Sequence, residues 1–66
     1  MSATGSARQP VLERSEWDLV VQLLARESRD LPLEIHHTAT KEYRQILRER
    51  LKQVEGLLER LRPLAA

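Results

Sequence analysis

The side chains best suited to chemistry in this sequence lie together in the stretch Glu34-Ile35-His36-His37, which holds both histidines of the chain. Carboxylate and imidazole groups are common zinc ligands, and such a site needs at least three of them. Adjacent histidines in an extended segment point to opposite sides, so only Glu34 and His36 are expected to share a side. We therefore expect no bound metal and no cofactor, and interpret Glu34, His36 and His37 as a possible contact site.

A second candidate is a stripe of basic residues on the C-terminal half of the chain. The stripe consists of Lys41, Arg44, Arg48 and Lys52, which fall within an arc of about 80° at helical spacing. It is unusual that all four of its charges are positive, because like charges at i,i+4 repel. Such a stripe could follow a phosphate backbone, although Glu55 and Glu59 continue the same face with the opposite sign. Nucleic-acid binding is therefore the alternative hypothesis, and a solvated helix face is the simpler one.

Arg50 is the third unusual residue because it interrupts an apolar stripe. It falls between Tyr43, Ile46, Val54 and Leu57 in helical projection. A buried guanidinium group is costly without an anionic partner. We expect Arg50 to reach the edge of the fold or to pair with an acid, either within the chain or across a dimer.

No catalytic arrangement is visible among these groups. The sequence has no glycine-rich phosphate loop, and its serines and histidines show no motif spacing. A chain of 66 residues is also too small to enclose a deep pocket alone. We expect a protein without enzymatic activity.

Composition narrows the class of protein further. The chain has no cysteine, no long apolar run and no apolar segment near its N-terminus, so we expect a cytoplasmic protein that does not enter membranes. Residues 1–40 carry a net charge of −2 and residues 41–66 a net charge of +3. This asymmetry suits the packing of one half against the other, or of one subunit against another.

The elements that must position these groups are two helices. The first is predicted over about residues 15–30, with Ser15 as its N-cap and Asp18 as the acid of a capping box. Its apolar arc covers about 200°, which is wider than one packing partner requires. The second is predicted over about residues 40–62, after a cap at Thr38 or Thr40 and before Pro63.

The segment between the helices is predicted to be extended. Pro32 disfavours the helical conformation at Leu31, and apolar and polar residues alternate from Leu31 to His36. Leu31, Leu33 and Ile35 would then face inward, as a strand-like lid on the end of the helices. Glu34 and His36 would form its outer row.

The predicted fold is therefore all-α: an antiparallel two-helix hairpin with an extended loop. Residues 1–10 are expected to be a disordered tail, and residues 11–66 the hairpin domain. A hairpin this small leaves apolar surface exposed, so we expect two copies to form a four-helix bundle. The residues predicted for the core or dimer interface are Trp17, Val20, Leu23, Leu24, Tyr43, Leu47, Arg50, Val54, Leu58 and Leu61. The predicted function is a homodimeric protein–protein interaction or scaffold module, and an additional protein partner is compatible with it.

Overall fold

A computed structural model describes residues 9–65 and shows two α-helices packed as an antiparallel hairpin. Helix α1 spans Arg14–His37, helix α2 spans Lys41–Leu61, and a 3₁₀ turn follows at Arg62–Leu64. No strand occurs within residues 9–65, so the all-α hairpin is confirmed. The tail predicted for residues 1–10 falls mostly on residues 1–8, outside the described part of the chain.

Helix α1 begins earlier than predicted, and its N-cap is Glu13. The backbone N–H of Glu13 donates to Glu16 Oε1 at 2.8 Å, while the backbone N–H groups of Glu16 and Trp17 donate to the Glu13 carbonyl at 2.9 Å. The predicted cap at Ser15 and the capping role of Asp18 are therefore wrong. Glutamate is not a favoured N-cap, but Glu16 holds the third helical position, where a capping box places an acid.

The prediction of an extended segment after Asp30 is also wrong, because α1 continues through Pro32 to His37. Leu31 is 1% exposed, and Ile35 packs against the same core. Burying each of these side chains contributes about 1.5–3 kcal/mol, whereas a proline inside a helix costs about 3 kcal/mol. Only a helix places residues 31 and 35 on one face together with Leu24, so packing overrides the local preference of Pro32.

The two helices are joined by the short connector Thr38–Thr40. Thr38 ends α1: its hydroxyl donates to the Glu34 carbonyl at 2.6 Å, and its backbone N–H donates to the Ile35 carbonyl at 3.3 Å. Thr40 is the N-cap of α2, in extended conformation and without a side-chain capping bond. The two threonines therefore mark one helix end each.

The hydrophobic core is small and aliphatic. Its buried members are Leu31 from α1 and Leu47, Val54 and Leu58 from α2. Partly buried side chains complete it, namely Val21, Leu24, Ala25, Ile35 and Leu51. Chains of this size bury a low fraction of their surface, and this hairpin buries only one side of each helix. Its remaining apolar surface faces outward.

Candidate functional site

The stretch 34–37 is helical, so it pairs its polar side chains differently from the prediction: Glu34 and His37, three positions apart, are neighbours on one helix face. Glu34 and His36 are two positions apart, which is about 200° around a helix. The prediction that they share a side is therefore wrong. His36 and His37 are exposed in the last turn of α1, with ring centroids 5.2 Å apart and ring planes at 73°. Within residues 9–65, no three histidine or acidic side chains lie close enough together to hold a metal ion.

The basic stripe is divided between two surfaces. Lys41, Arg48 and Lys52 are exposed on α2, whereas Arg44 is half-buried at the edge of the hairpin. The Arg44 Nε atom is buried and has no hydrogen-bond partner among the described residues. Sequence spacing could have shown this, because position 44 precedes the core-facing positions 47, 51, 54 and 58 in steps of three and four.

Arg50 forms an ion pair with Glu27 of the same chain. The Arg50 Nε atom lies 2.6 Å from Glu27 Oε2, so the expected pairing with an acid occurs within the hairpin. The Arg50 side chain is 62% exposed and that of Glu27 is 34% exposed. Solvent-exposed pairs of this kind contribute at most about 1 kcal/mol. The pair therefore adds little to the stability of the hairpin, and it marks the level at which α1 and α2 lie side by side.

The residues predicted for the core or the dimer interface fall into three groups by burial. The structure places Leu47, Val54 and Leu58 in the interior and leaves Trp17, Val20, Leu24 and Leu61 partly buried. Only Leu23, Tyr43 and Arg50 of this set are exposed. Of this set, Leu47, Val54 and Leu58 belong to the core of one hairpin, and Leu24 packs against it.

Helical spacing places several exposed apolar side chains on the side of the hairpin that carries the Glu27–Arg50 pair, and we call this set the apolar flank. Leu19 and Leu23 on α1 and Tyr43 and Ile46 on α2 are each about half exposed, and Leu57 is partly exposed. A shallow groove on this flank runs between Leu23, Leu24, Val54 and Leu57, with Glu27 and Arg50 in its lining. The sequence indicated the α1 part of this flank through the wide apolar arc of the first helix.

The described helices give no sign of a bilayer-spanning segment, since none combines the required length with the required apolar character. No protein-family model matches the chain, and no curated protein and no solved structure is detectably similar to it. What the chain does must therefore be inferred from its own surfaces, of which the apolar flank is the most distinctive.

Proposed function

We propose that this chain is a non-catalytic interaction module that acts as a homodimer, with two hairpins forming a four-helix bundle through their apolar flanks. The observation that supports the proposal is the exposure of Leu19, Leu23 and Ile46, each 52–58% accessible, beside a core of four buried residues. Apolar side chains exposed together on one side of a small protein are typical of an association surface.

The energetics of the hairpin point in the same direction. Each aliphatic side chain that becomes buried contributes about 1.5–3 kcal/mol, and ordering each residue costs about 1–2 kcal/mol of backbone entropy. Four buried side chains and no cysteine leave this hairpin with few means to offset that entropy. Association of two flanks would bury Leu19, Leu23 and Ile46 twice per dimer, and would thus extend the core.

The proposal predicts the mass of the particle in solution. Light scattering should give twice the chain mass of 7.7 kDa at high concentration, with a shift towards a single chain on dilution. Leu23→Glu should abolish the dimer, because it places a charge in the centre of the flank. Ala39→Glu is a matched control, since it adds the same charge at an exposed connector residue and should leave the mass unchanged. A wild-type chain that stays monomeric at every concentration would contradict the proposal.

The alternative function, nucleic-acid binding, is favoured by one specific observation. Lys41 and Arg48 are exposed and line one shallow depression on α2. A phosphate oxygen could accept hydrogen bonds from both of these cations.

The two functions respond differently to salt. If the basic stripe binds a phosphate backbone, fluorescence anisotropy should detect generic RNA or DNA binding at low salt, and the affinity should fall steeply as salt rises. Lys52→Gln should then weaken nucleic-acid binding without changing the mass of the particle in solution. We expect no binding at low salt, and binding that depends on Lys52 would favour the alternative over the interaction module.

A further inference from the structure

Helix α1 carries a second seam, separate from the one that packs on α2. Leu19, Leu23, Arg26, Asp30 and Leu33 are all exposed and follow each other in steps of four and three residues. This is the spacing of the a and d positions of a heptad repeat, which in coiled coils face a partner helix. The core residues Leu24, Leu31 and Ile35 occupy another side of the helix. We call the exposed set the outer seam.

The charges of the outer seam are arranged symmetrically. Four of its five members are related about position 28: Arg26 and Asp30 lie two residues on either side of it, and Leu23 and Leu33 lie five residues on either side. Leu19 has no counterpart in the set. Within residues 9–65, neither Arg26 nor Asp30 takes part in an ion pair. An antiparallel copy of the same seam, centred on position 28, would set Arg26 beside the partner's Asp30 and Leu23 beside the partner's Leu33. Each of these contacts would occur twice.

We propose that a second copy of this chain occupies the outer seam, so that α1 packs antiparallel against α1 of the partner, with Arg26 and Asp30 setting the register. The inference rests on the proposed homodimer and specifies its geometry. Opposite charges facing each other in the seam favour this pairing, and the same charges disfavour a parallel pairing, in which Arg26 would face the partner's Arg26.

Helix α2 supports the same two-fold axis. The Glu27–Arg50 contact places position 50 of α2 at the level of positions 27 and 28 of α1. On the flank side of α2, Ile46 and Leu57 lie on either side of a midpoint between residues 51 and 52. At about 1.5 Å per residue, that midpoint lies about 2–3 Å along the helix axis from residue 50, and therefore close to the level of position 28 of α1. One axis can therefore bring Ile46 against the partner's Leu57 while α1 pairs with α1.

The other two-fold arrangement would place α1 over α2 of the partner. Because the helices of a hairpin are aligned at the level of Glu27 and Arg50, Arg26 would then lie near the partner's Arg50. The charge of that Arg50 is already balanced by Glu27, so Arg26 would gain no acidic partner, and Asp30 would face the apolar side chain of the partner's Ile46. Only the arrangement of α1 against α1 gives both Arg26 and Asp30 a partner of opposite charge.

Charge reversal and mixing test the register directly. Arg26→Asp alone and Asp30→Arg alone each place like charges opposite one another, and each should weaken the homodimer at least about tenfold. An equimolar mixture of the two variants should restore dimers, with native mass spectrometry showing the heterodimer as the main species. Lys52→Asp and Glu59→Arg are the matched controls, because they make the same charge changes on exposed positions of α2 and should dimerise like the wild type.

The outcomes separate this inference from the proposed function. A wild-type chain that is monomeric would remove both. A wild-type dimer whose Arg26→Asp and Asp30→Arg variants dimerise as well alone as when mixed would overturn the α1 seam and leave the homodimer intact.

Disulfide trapping gives a second measurement that does not depend on charge, because the natural chain has no cysteine. When Leu23→Cys and Leu33→Cys chains are mixed and oxidised, the disulfide should join one chain of each kind. Two Leu23→Cys chains should not be joined to each other, since their positions would lie about 15 Å apart in the antiparallel register. Efficient joining of two Leu23→Cys chains would indicate a parallel dimer and would overturn the proposal.

Discussion

Leu31→Ala should lower the free energy of unfolding by about 2–5 kcal/mol, because it removes the most buried side chain of a small core. Domains are stable by only about 5–15 kcal/mol, and a chain this small belongs near the lower end of that range. The variant should therefore be largely unfolded near physiological temperature. Urea or thermal denaturation followed by far-ultraviolet circular dichroism measures the loss.

Leu33→Ala is the matched control for this prediction. Leu33 is the same residue type two positions away, yet it is 62% exposed. Its replacement should change the stability of the single hairpin by less than about 0.5 kcal/mol, as is usual for surface positions. Any further loss should depend on chain concentration, since Leu33 belongs to the proposed outer seam. Equal losses for both variants would contradict the helical placement of this segment, because only an extended segment would turn both side chains to the same side.

The helix pair itself could be predicted from the sequence because its signals are long and periodic. Helix α2 shows apolar residues in steps of three and four from Leu47 to Leu58, and it starts after Thr40, one of the two threonines predicted as its cap. A Cβ atom added to Gly56 would meet nothing within 4 Å beyond its own helical backbone, so this residue lies on the solvated face, opposite the apolar positions. These features depend on local spacing alone.

The end of α1 could not be predicted correctly because two local signals agree on the wrong answer. Pro32 disfavours a helix, and the alternation from Leu31 to His36 resembles a strand. The same residues also satisfy a helical pattern, since Leu24, Leu31 and Ile35 lie in steps of seven and four. Only the position of α2 decides between the two patterns, because Leu47 and its neighbours provide the surface on which Leu31 is buried.

The predicted contact site at Glu34 and His36 depended on the wrong conformation of this segment. With an extended segment, Glu34 and His36 would share an outer row; with a helix, they face different ways and the outer seam extends to Leu33 instead. The sequence could not identify Glu27 as the partner of Arg50 for a related reason. That pairing requires the alignment of the two helices, which follows from a connector of Thr38–Thr40 and not from a longer loop.

Pro32→Ala should stabilise the protein, by about 2 kcal/mol. Pro32 cannot donate the helical hydrogen bond to the Ser28 carbonyl, and its ring crowds that carbonyl, at a cost of about 3 kcal/mol. Up to about 1 kcal/mol of the gain is offset because proline also restricts the unfolded chain. The Pro32 side chain is exposed, so its removal leaves no cavity. Chemical denaturation at a fixed chain concentration measures the gain.

Pro63→Ala separates this helix effect from a general effect of proline. Pro63 lies at the start of the 3₁₀ turn Arg62–Leu64, where its missing N–H group leaves no helical hydrogen bond unmade. Its replacement should change stability little, or lower it slightly through the unfolded chain. A Pro32→Ala variant no more stable than Pro63→Ala would show that α1 accommodates Pro32 without strain. A gain at Pro32 alone would mean that the helix forms despite its sequence there, held by the burial of Leu31 and Ile35 on either side of the proline.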